Sequence, residues 1–277
     1  MILSQLFENF NKLKVLIIGD VMIDSYLMGK VNRISPEAPV PIVHVTERDK
    51  RLGGAANVAL NIQALGATPI LCAVVGNDTD GSDFFDILEN NKLSSEGIIK
   101  SDERVTTIKH RIISGSHHML RVDSEDTKEL SKKEEEQLLI QIEKLIPDCD
   151  VVIFEDYDKG VLTKSNIEKI VEWSKIYNKP TVVDPKKRNF LNYHGVTLFK
   201  PNLKELKEGL NIEFNPKNME ELKEAVNQLK IHLTIDKALI TLSELGMYVD
   251  KDEDSYIIPA HRRSISCLLY TSPSPRD

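Results

Sequence analysis

Six apolar runs of strand length, alternating with helical patterns, constrain this 277-residue chain more than any other feature. "KVLIIGD" (14–20), "TPILCAVVG" (68–76), "DVVIFEDY" (150–157), "PTVVDP" (180–185), "VTLFKPN" (196–202) and "KALITLSE" (237–244) read as strands buried on both faces. "GAANVALNIQALG" (54–66), "SKKEEEQLLIQIEKLI" (131–146), "KSNIEKIVEWSKIYN" (164–178) and "NMEELKEAVNQLKIHL" (218–233) read as amphipathic helices. In the first of these, Val58, Ile62 and Leu65 recur at i, i+4 and i+7, the spacing of one helical face. Such alternation predicts an α/β fold, a mostly parallel sheet with helices on both faces. Two stretches break the pattern. "APVPIVHVTER" (38–48) and "VTTIKHRIISGSHHMLRVD" (105–123) look like hairpin material and predict a small second sheet, a lid outside the main one. No internal repeat is visible, and no linker divides residues 1–260.

With 41% hydrophobic and 29% charged residues, the chain has the composition of one large globular domain. A net charge of -7 and a pI near 5.6 argue against a nucleic-acid surface, which needs clustered Lys and Arg. No apolar run approaches the roughly 20 residues of a membrane span. The opening "MILSQLFENF" carries polar and acidic residues unlike a secretory signal. Cys72, Cys149 and Cys267 sit at no metal or disulfide spacing, which predicts a reduced, cytoplasmic setting. The histidines, including His117 and His118, also lack metal-ligand spacing.

In folds of this class, ligands bind beyond the carboxyl ends of the parallel strands. Polar residues follow the apolar runs at Asp20 and Asp24, Glu155 and Asp156, Asp184 and Lys186, Asn202 and Glu205, and Thr241 and Ser243. "RLGGAANVALNIQALGA" (51–67) is the strongest local signal. Gly53 and Gly54 allow close backbone approach, the helix that follows aims free N–H groups at that spot, and Asn57 can bond a sugar hydroxyl. From Gly-Gly-Ala-Ala alone, a tight turn with small residues for helix packing is the plainer reading. Its glycine spacing matches neither a dinucleotide fingerprint nor a Walker loop. In "IIGDVMID" (17–24), Asp20 and Asp24 could accept from sugar hydroxyls, or Asp20 could cap a turn. Lys186 could neutralise a phosphate as a point charge. Asn202 and Glu205 fit a strand-exit site and also an N-cap with its capping-box glutamate.

Together with "RISPEAPVPIV" (33–43), "DYDKGVL" (156–162), "DPK" (184–186), "KPNLKE" (200–205) and "ITLSELGM" (240–247), these motifs resemble the ribokinase-like sugar kinases from about residue 10 to residue 263. Within that family they look most like the bacterial heptose 7-phosphate kinases, because generic ribokinases do not share "RISPEAPVPIV". The resemblance implies ATP- and Mg²⁺-dependent phosphorylation of D-glycero-D-manno-heptose 7-phosphate at the C1 hydroxyl, toward ADP-heptose and lipopolysaccharide. It implies that Asp20, Asp24, Gly53, Gly54 and Asn57 hold the sugar, while Arg121 and Lys186 face phosphate. Asn202 and Glu205 would serve the nucleotide phosphates, Glu205 reaching Mg²⁺ through water. Thr241, Ser243 and Gly246 would line the ATP site, and the lid sheet would build a homodimer. A kinase for another sugar, such as ribose or fructose 1-phosphate, and a non-catalytic sugar-binding module are the alternatives.

The family's catalytic Gly-Ala-Gly-Asp motif would open a helix soon after a strand like "SYIIPA" (255–260), yet no glycine follows Gly246. "CLLYTSPSPRD" (267–277) matches the translation of a transposase adapter used in sequencing libraries. The reading is therefore a kinase domain over 1–266, incomplete at its C-terminal end, followed by non-native residues. An adenylyltransferase domain follows the kinase in many relatives, and nothing of one is present in these residues.

Overall fold

Alternate residues of the first strand enter two separate cores. Val15 and Ile17 belong to one, Leu16 and Ile18 to the other, and all four are buried. The computed structural model of the chain describes residues 3–251 and 254–260. Cys267 and the adapter-like segment 267–277 lie outside the described residues.

After helix α1 (Leu3–Phe10), strand β1 (Lys14–Gly19) leads almost directly into β2 (Val21–Ile34) and β3 (Pro41–Gly54). Helix α2 (Ala55–Ala64), β4 (Thr68–Gly76), α3 (Thr79–Asn90) and β5 (Gly97–Ser101) follow, then β6 (Ile108–Ser114) and β7 (His117–Ser124). The second half comprises α4 (Lys132–Leu145), β8 (Val151–Glu155), α5 (Lys164–Ile176), β9 (Thr181–Asp184) and β10 (Leu198–Phe199). It continues through α6 (Leu203–Leu210), α7 (Met219–Leu233), β11 (Lys237–Thr241), β12 (Met247–Lys251) and β13 (Asp254–Ile258). The main sheet has nine strands in the order β13-β12-β11-β10-β9-β8-β1-β4-β5. From β11 to β5 the pairings are parallel, and β12 and β13 add an antiparallel edge.

Helices α4, α5, α6 and α7 pack one face through Leu138, Ile142, Ile167, Ile170, Leu206, Leu222, Val226 and Leu229. Helices α2 and α3 cover the other face through Ala55, Ala56, Ala59, Phe84 and Leu88. The buried face of α2 is thus its alanines. Val58 and Ile62 pack partly buried against that core, whereas Leu65, which the sequence spacing placed on the same face, caps the end of the helix and is 47% exposed. On that same side of the sheet, Val182, Leu198, Leu239 and Val249 are only half-buried.

The predicted lid exists. A second sheet of four strands has the order β3-β2-β6-β7, with β2 and β3 antiparallel, β2 and β6 parallel, and β6 and β7 antiparallel. The strands extend well beyond the two stretches that broke the helical pattern. β2 runs for fourteen residues, its first five buried and its far end exposed. No helical pattern had been assigned to residues 79–90, where Asp78 caps α3 by accepting from the Gly81 N–H at 2.7 Å.

Candidate active site

Asp20 is the joint between the two sheets. Its N–H donates to Glu155 O in the main sheet at 3.2 Å, and its own carbonyl accepts from Ala55 N–H at the start of α2 at 2.9 Å. Its carboxylate accepts from the backbone N–H groups of Tyr157 (2.8 Å), Lys159 (3.1 Å) and Val161 (3.1 Å). Burial pushes this carboxyl up, and the three donors oppose that. Both oxygens are engaged and the residue is 1% exposed, so Asp20 anchors the loop after β8.

Asp24 does not follow a strand end, as the sequence suggested, but lies within β2. It is buried and ion-paired to Arg111 on β6. A side chain at Gly53 would place Cβ 2.6 Å from Asp24 Oδ2, which is why that position is glycine. Gly54, at φ 60, would drive a Cβ into the Asp20 carbonyl. The glycine pair thus brings the start of α2 against both aspartates. Asn57 stands in the first turn of α2, partly exposed, and its side chain bonds to no described residue.

The second group surrounds a cavity of about 1040 Å³ at the carboxyl ends of β9, β10 and β11. Lys186, Asn202, Glu205, Thr241, Ser243 and Gly246 all line it, with Tyr157 and Lys200. Asn202 caps α6 by accepting from Glu205 N–H at 2.8 Å, while Glu205 Oε2 accepts from Asn202 N–H at 2.9 Å. Glu205 Oε1 pairs with Lys186 Nζ. Glu205 therefore closes the capping box with one oxygen and meets Lys186 with the other. Thr241 bridges to Asn202 in parallel register, and its N–H donates to Pro201 O at 3.1 Å. Gly246 has φ 99, and a Cβ there would strike the Ile258 carbonyl, so its glycine serves the turn between β11 and β12 as well as the cavity wall.

Lys186 lies with the predicted nucleotide residues and not beside Arg121, with which the sequence grouped it. Arg121 is on β7, 58% exposed at its side chain, with Nε 3.0 Å from Asp123. Lys200, which the sequence left unassigned, holds Asp184 at 3.1 Å. Burial lowers its pKa, opposed by Glu155 and Glu205. Its only sequence signal was a lysine at a strand exit ahead of Pro201 and Asn202. Asp156 is buried under Asn189 and Tyr193 and does not face the cavity. Among the described residues, no group of three or more His, Cys, Asp and Glu is arranged as a metal site, and no helix is long and apolar enough to cross a membrane.

This pairing of a strand-end cavity with a separate charged lid sheet has a counterpart in known proteins. Residues 12–265 match the pfkB family carbohydrate kinases. The chain belongs to that family. The bifunctional protein HldE of Wolinella succinogenes is 41% identical over 233 residues, covering 84% of this chain and 49% of that protein. The Caulobacter vibrioides HldE is 41% identical over 246 residues, covering 88% and 50%. The chain thus spans about half the length of these relatives. Among pfkB-like folds of known structure, Escherichia coli phosphofructokinase-2 in complex with fructose-6-phosphate superposes with a TM-score of 0.70 at 15% identity, over 91% of this chain and 82% of that one. An Arabidopsis thaliana ribokinase complexed with ribose and ATP gives 0.65 at 12%, over 89% and 78%. The ribokinase-like fold expected from the motifs is present.

Proposed function

We propose that this pfkB-family chain is a heptose 7-phosphate kinase domain, transferring the γ-phosphoryl group of ATP to the C1 hydroxyl of D-glycero-D-manno-heptose 7-phosphate in the cytoplasm, on the route to ADP-heptose. The observation that carries the reading is the two-sided arrangement: Lys186, Lys200 and the α6 N-terminus line one cavity, and Asp24 stands against Gly53 on the lid side, with Asn57 in the first turn of the helix that follows. The similarity to HldE proteins over most of the chain supports heptose among sugars.

The triphosphate would lie along the cavity, its charge met by Lys186 and Lys200 and by the free N–H groups that open α6. Glu205 would hold Mg²⁺ through water, and the ion would supply charge neutralisation for the phosphates. The fit requires Glu205 Oε1 to turn from Lys186, which the lysine's long stem allows. Asp24 and Asn57 would orient the sugar, and Asp20 would act from behind by fixing the loop 157–161. Leu120 and Val122 on β7 are 56% and 47% exposed, the apolar surface through which two lid sheets would pair in a homodimer.

The 277 residues contain no glycine beyond Gly246 and so no Gly-Ala-Gly-Asp. We infer that the anion-holding N–H groups and the base that this motif would supply are missing from these 277 residues, with residues 267–277 read as adapter-derived. Each omission removes about 10²–10³ and roughly 10²–10⁴ in rate respectively. ATP consumption measured across a sugar-phosphate panel tests the proposal. The 277-residue chain should turn over slowly, and a version continued through Gly-Ala-Gly-Asp should prefer heptose 7-phosphate. Robust turnover by the shorter chain overturns the incompleteness, and preference for ribose or fructose 1-phosphate overturns the substrate.

A further inference from the structure

A chain of alternating charge joins the lid to the body. Lys109 on β6 is registered between Asp24 on β2 and Asp123 on β7, so the three side chains share one face of the lid. Lys109 Nζ is 3.1 Å from Asp123 Oδ2 and 3.4 Å from Glu125 Oε2. The other oxygen of Glu125 is 2.7 Å from Lys159 Nζ. Lys159 belongs to the loop that Asp20 pins at the end of β8. Glu125 therefore bridges two ammonium groups, one on the lid and one on the body, next to the Asp24 and Gly53 pair.

We propose that Lys109 and Lys159 form the seat for the phosphomonoester that the acceptor sugar already carries, and that Glu125 holds their place until that group arrives. This rests on the sugar-phosphate kinase reading. Three cations, Lys109, Lys159 and Arg121, face two carboxylates, Asp123 and Glu125, in a chain whose net charge is -7. The excess of one positive charge sits where the overall balance is negative. Lys109 and Lys159 are 15% and 17% exposed, so their attraction for an anion is less screened than at the 58% exposed Arg121. A phosphomonoester carries about -1.5 to -2 charges at pH 7 and three acceptor oxygens, so it can satisfy both ammonium groups better than one carboxylate. Glu125 stands just past the end of β7, 27% exposed, and can swing into water when displaced. The seat on lid and body together would also draw the lid toward the cleft.

A purely structural ladder makes a different prediction, which separates the two. Calorimetric titration of the 277-residue chain with inorganic phosphate, D-sedoheptulose 7-phosphate and unphosphorylated D-sedoheptulose provides the readout, with thermal midpoints recorded for each variant. Lys109→Gln and Lys159→Gln should each weaken both phosphate-bearing probes by roughly 10-fold or more, the scale of one charge-assisted hydrogen bond. Neither should alter binding of the unphosphorylated sugar. Glu125→Gln should tighten the phosphate-bearing probes by several-fold, although it loosens the ladder. If all three variants weaken phosphate binding together, or if the lysine variants leave it unchanged, the seat is overturned. The lysines lie on different elements, so misfolding of one variant leaves the other decisive. Sugar phosphate bound with no dependence on either lysine sinks the seat and spares the kinase reading. Inorganic phosphate bound through both lysines, with neither sugar bound, supports the seat and sinks the kinase reading.

Discussion

The hydroxyl of Tyr193 donates to Asp156 Oδ2 at 2.8 Å, and the two residues are 0% and 2% exposed. Asn189 donates to the same oxygen at 3.1 Å, and Asp158 N–H to the other at 2.9 Å. Burial, and after it the charge of Asp20, pushes the Asp156 carboxyl from 3.8 up to about 6. A carboxyl raised on folding favours the folded state while it is protonated. That contribution is complete below about pH 4 and is lost as pH rises through about 6. At about 1.4 kcal/mol per pH unit, the loss approaches ~3 kcal/mol. Asp156→Asn is neutral throughout, so its urea-unfolding free energy should rise relative to the native chain by this amount between pH 4 and pH 7. Parallel curves for the two proteins would remove Asp156 as the titrating group.

Asn57 offers the cleanest separation of binding from stability. Its side chain bonds to no described residue, so Asn57→Ala should shift the unfolding free energy by no more than about 0.5 kcal/mol. If it meets a sugar hydroxyl, sugar affinity should fall by roughly 1–3 kcal/mol while ATP affinity holds. Unchanged sugar titrations would place Asn57 outside the site.

Glu205→Gln keeps a side chain able to close the capping box but removes the charge facing Lys186. Stability should fall by less than about 1 kcal/mol. The Mg²⁺ concentration needed for half-maximal nucleotide binding should rise, as read by titration at fixed ATP. A variant with native Mg²⁺ dependence would confine Glu205 to its cap.

Gly53→Ala puts a methyl group against Asp24 Oδ2 and, at 2.8 Å, against Met22 Cγ. We expect a loss of about 1–3 kcal/mol in chemical unfolding from overpacking, together with weaker sugar binding as Asp24 is displaced. Wild-type stability for this variant would show that the strand ends open more readily than the contact distances imply.

The parallel strands were legible in the sequence because burial on both faces produces continuous apolar runs such as 68–76, which matches β4 in full. Helix α3 was hidden, since "TDGSDFFDILEN" carries only two deeply buried large side chains, Phe84 and Leu88. Lid strands β2 and β3 were longer than their sequence suggested because their outer halves touch water on both faces, which erases the alternation that marks a strand. The convergence of Asn202, Glu205, Thr241, Ser243 and Gly246 on one cavity was readable because they follow two neighbouring strands, and strand ends converge in this architecture. Asp20 could be read two ways for a related reason. A carboxylate at a strand end looks the same in sequence whether it meets a ligand or three backbone N–H groups. The pairings of Arg111, Lys109 and Lys159 carried no sequence signal, since they depend on lid register and a loop far along the chain.

Strand β2 is gripped along its first five residues and stands in solvent at its far end. Roughly 30 Å of extended chain separate Asp24 from Ile34. Such a strand is a lever with its fulcrum in the core, and Asp24 lies on the short arm. The register irregularity between Met28 and Gly29 divides the long arm, giving it a point at which to flex. A swing of several ångströms at the tip therefore reaches the aspartate as a small fraction of itself. The far end of the lid can swing while Asp24 stays nearly still.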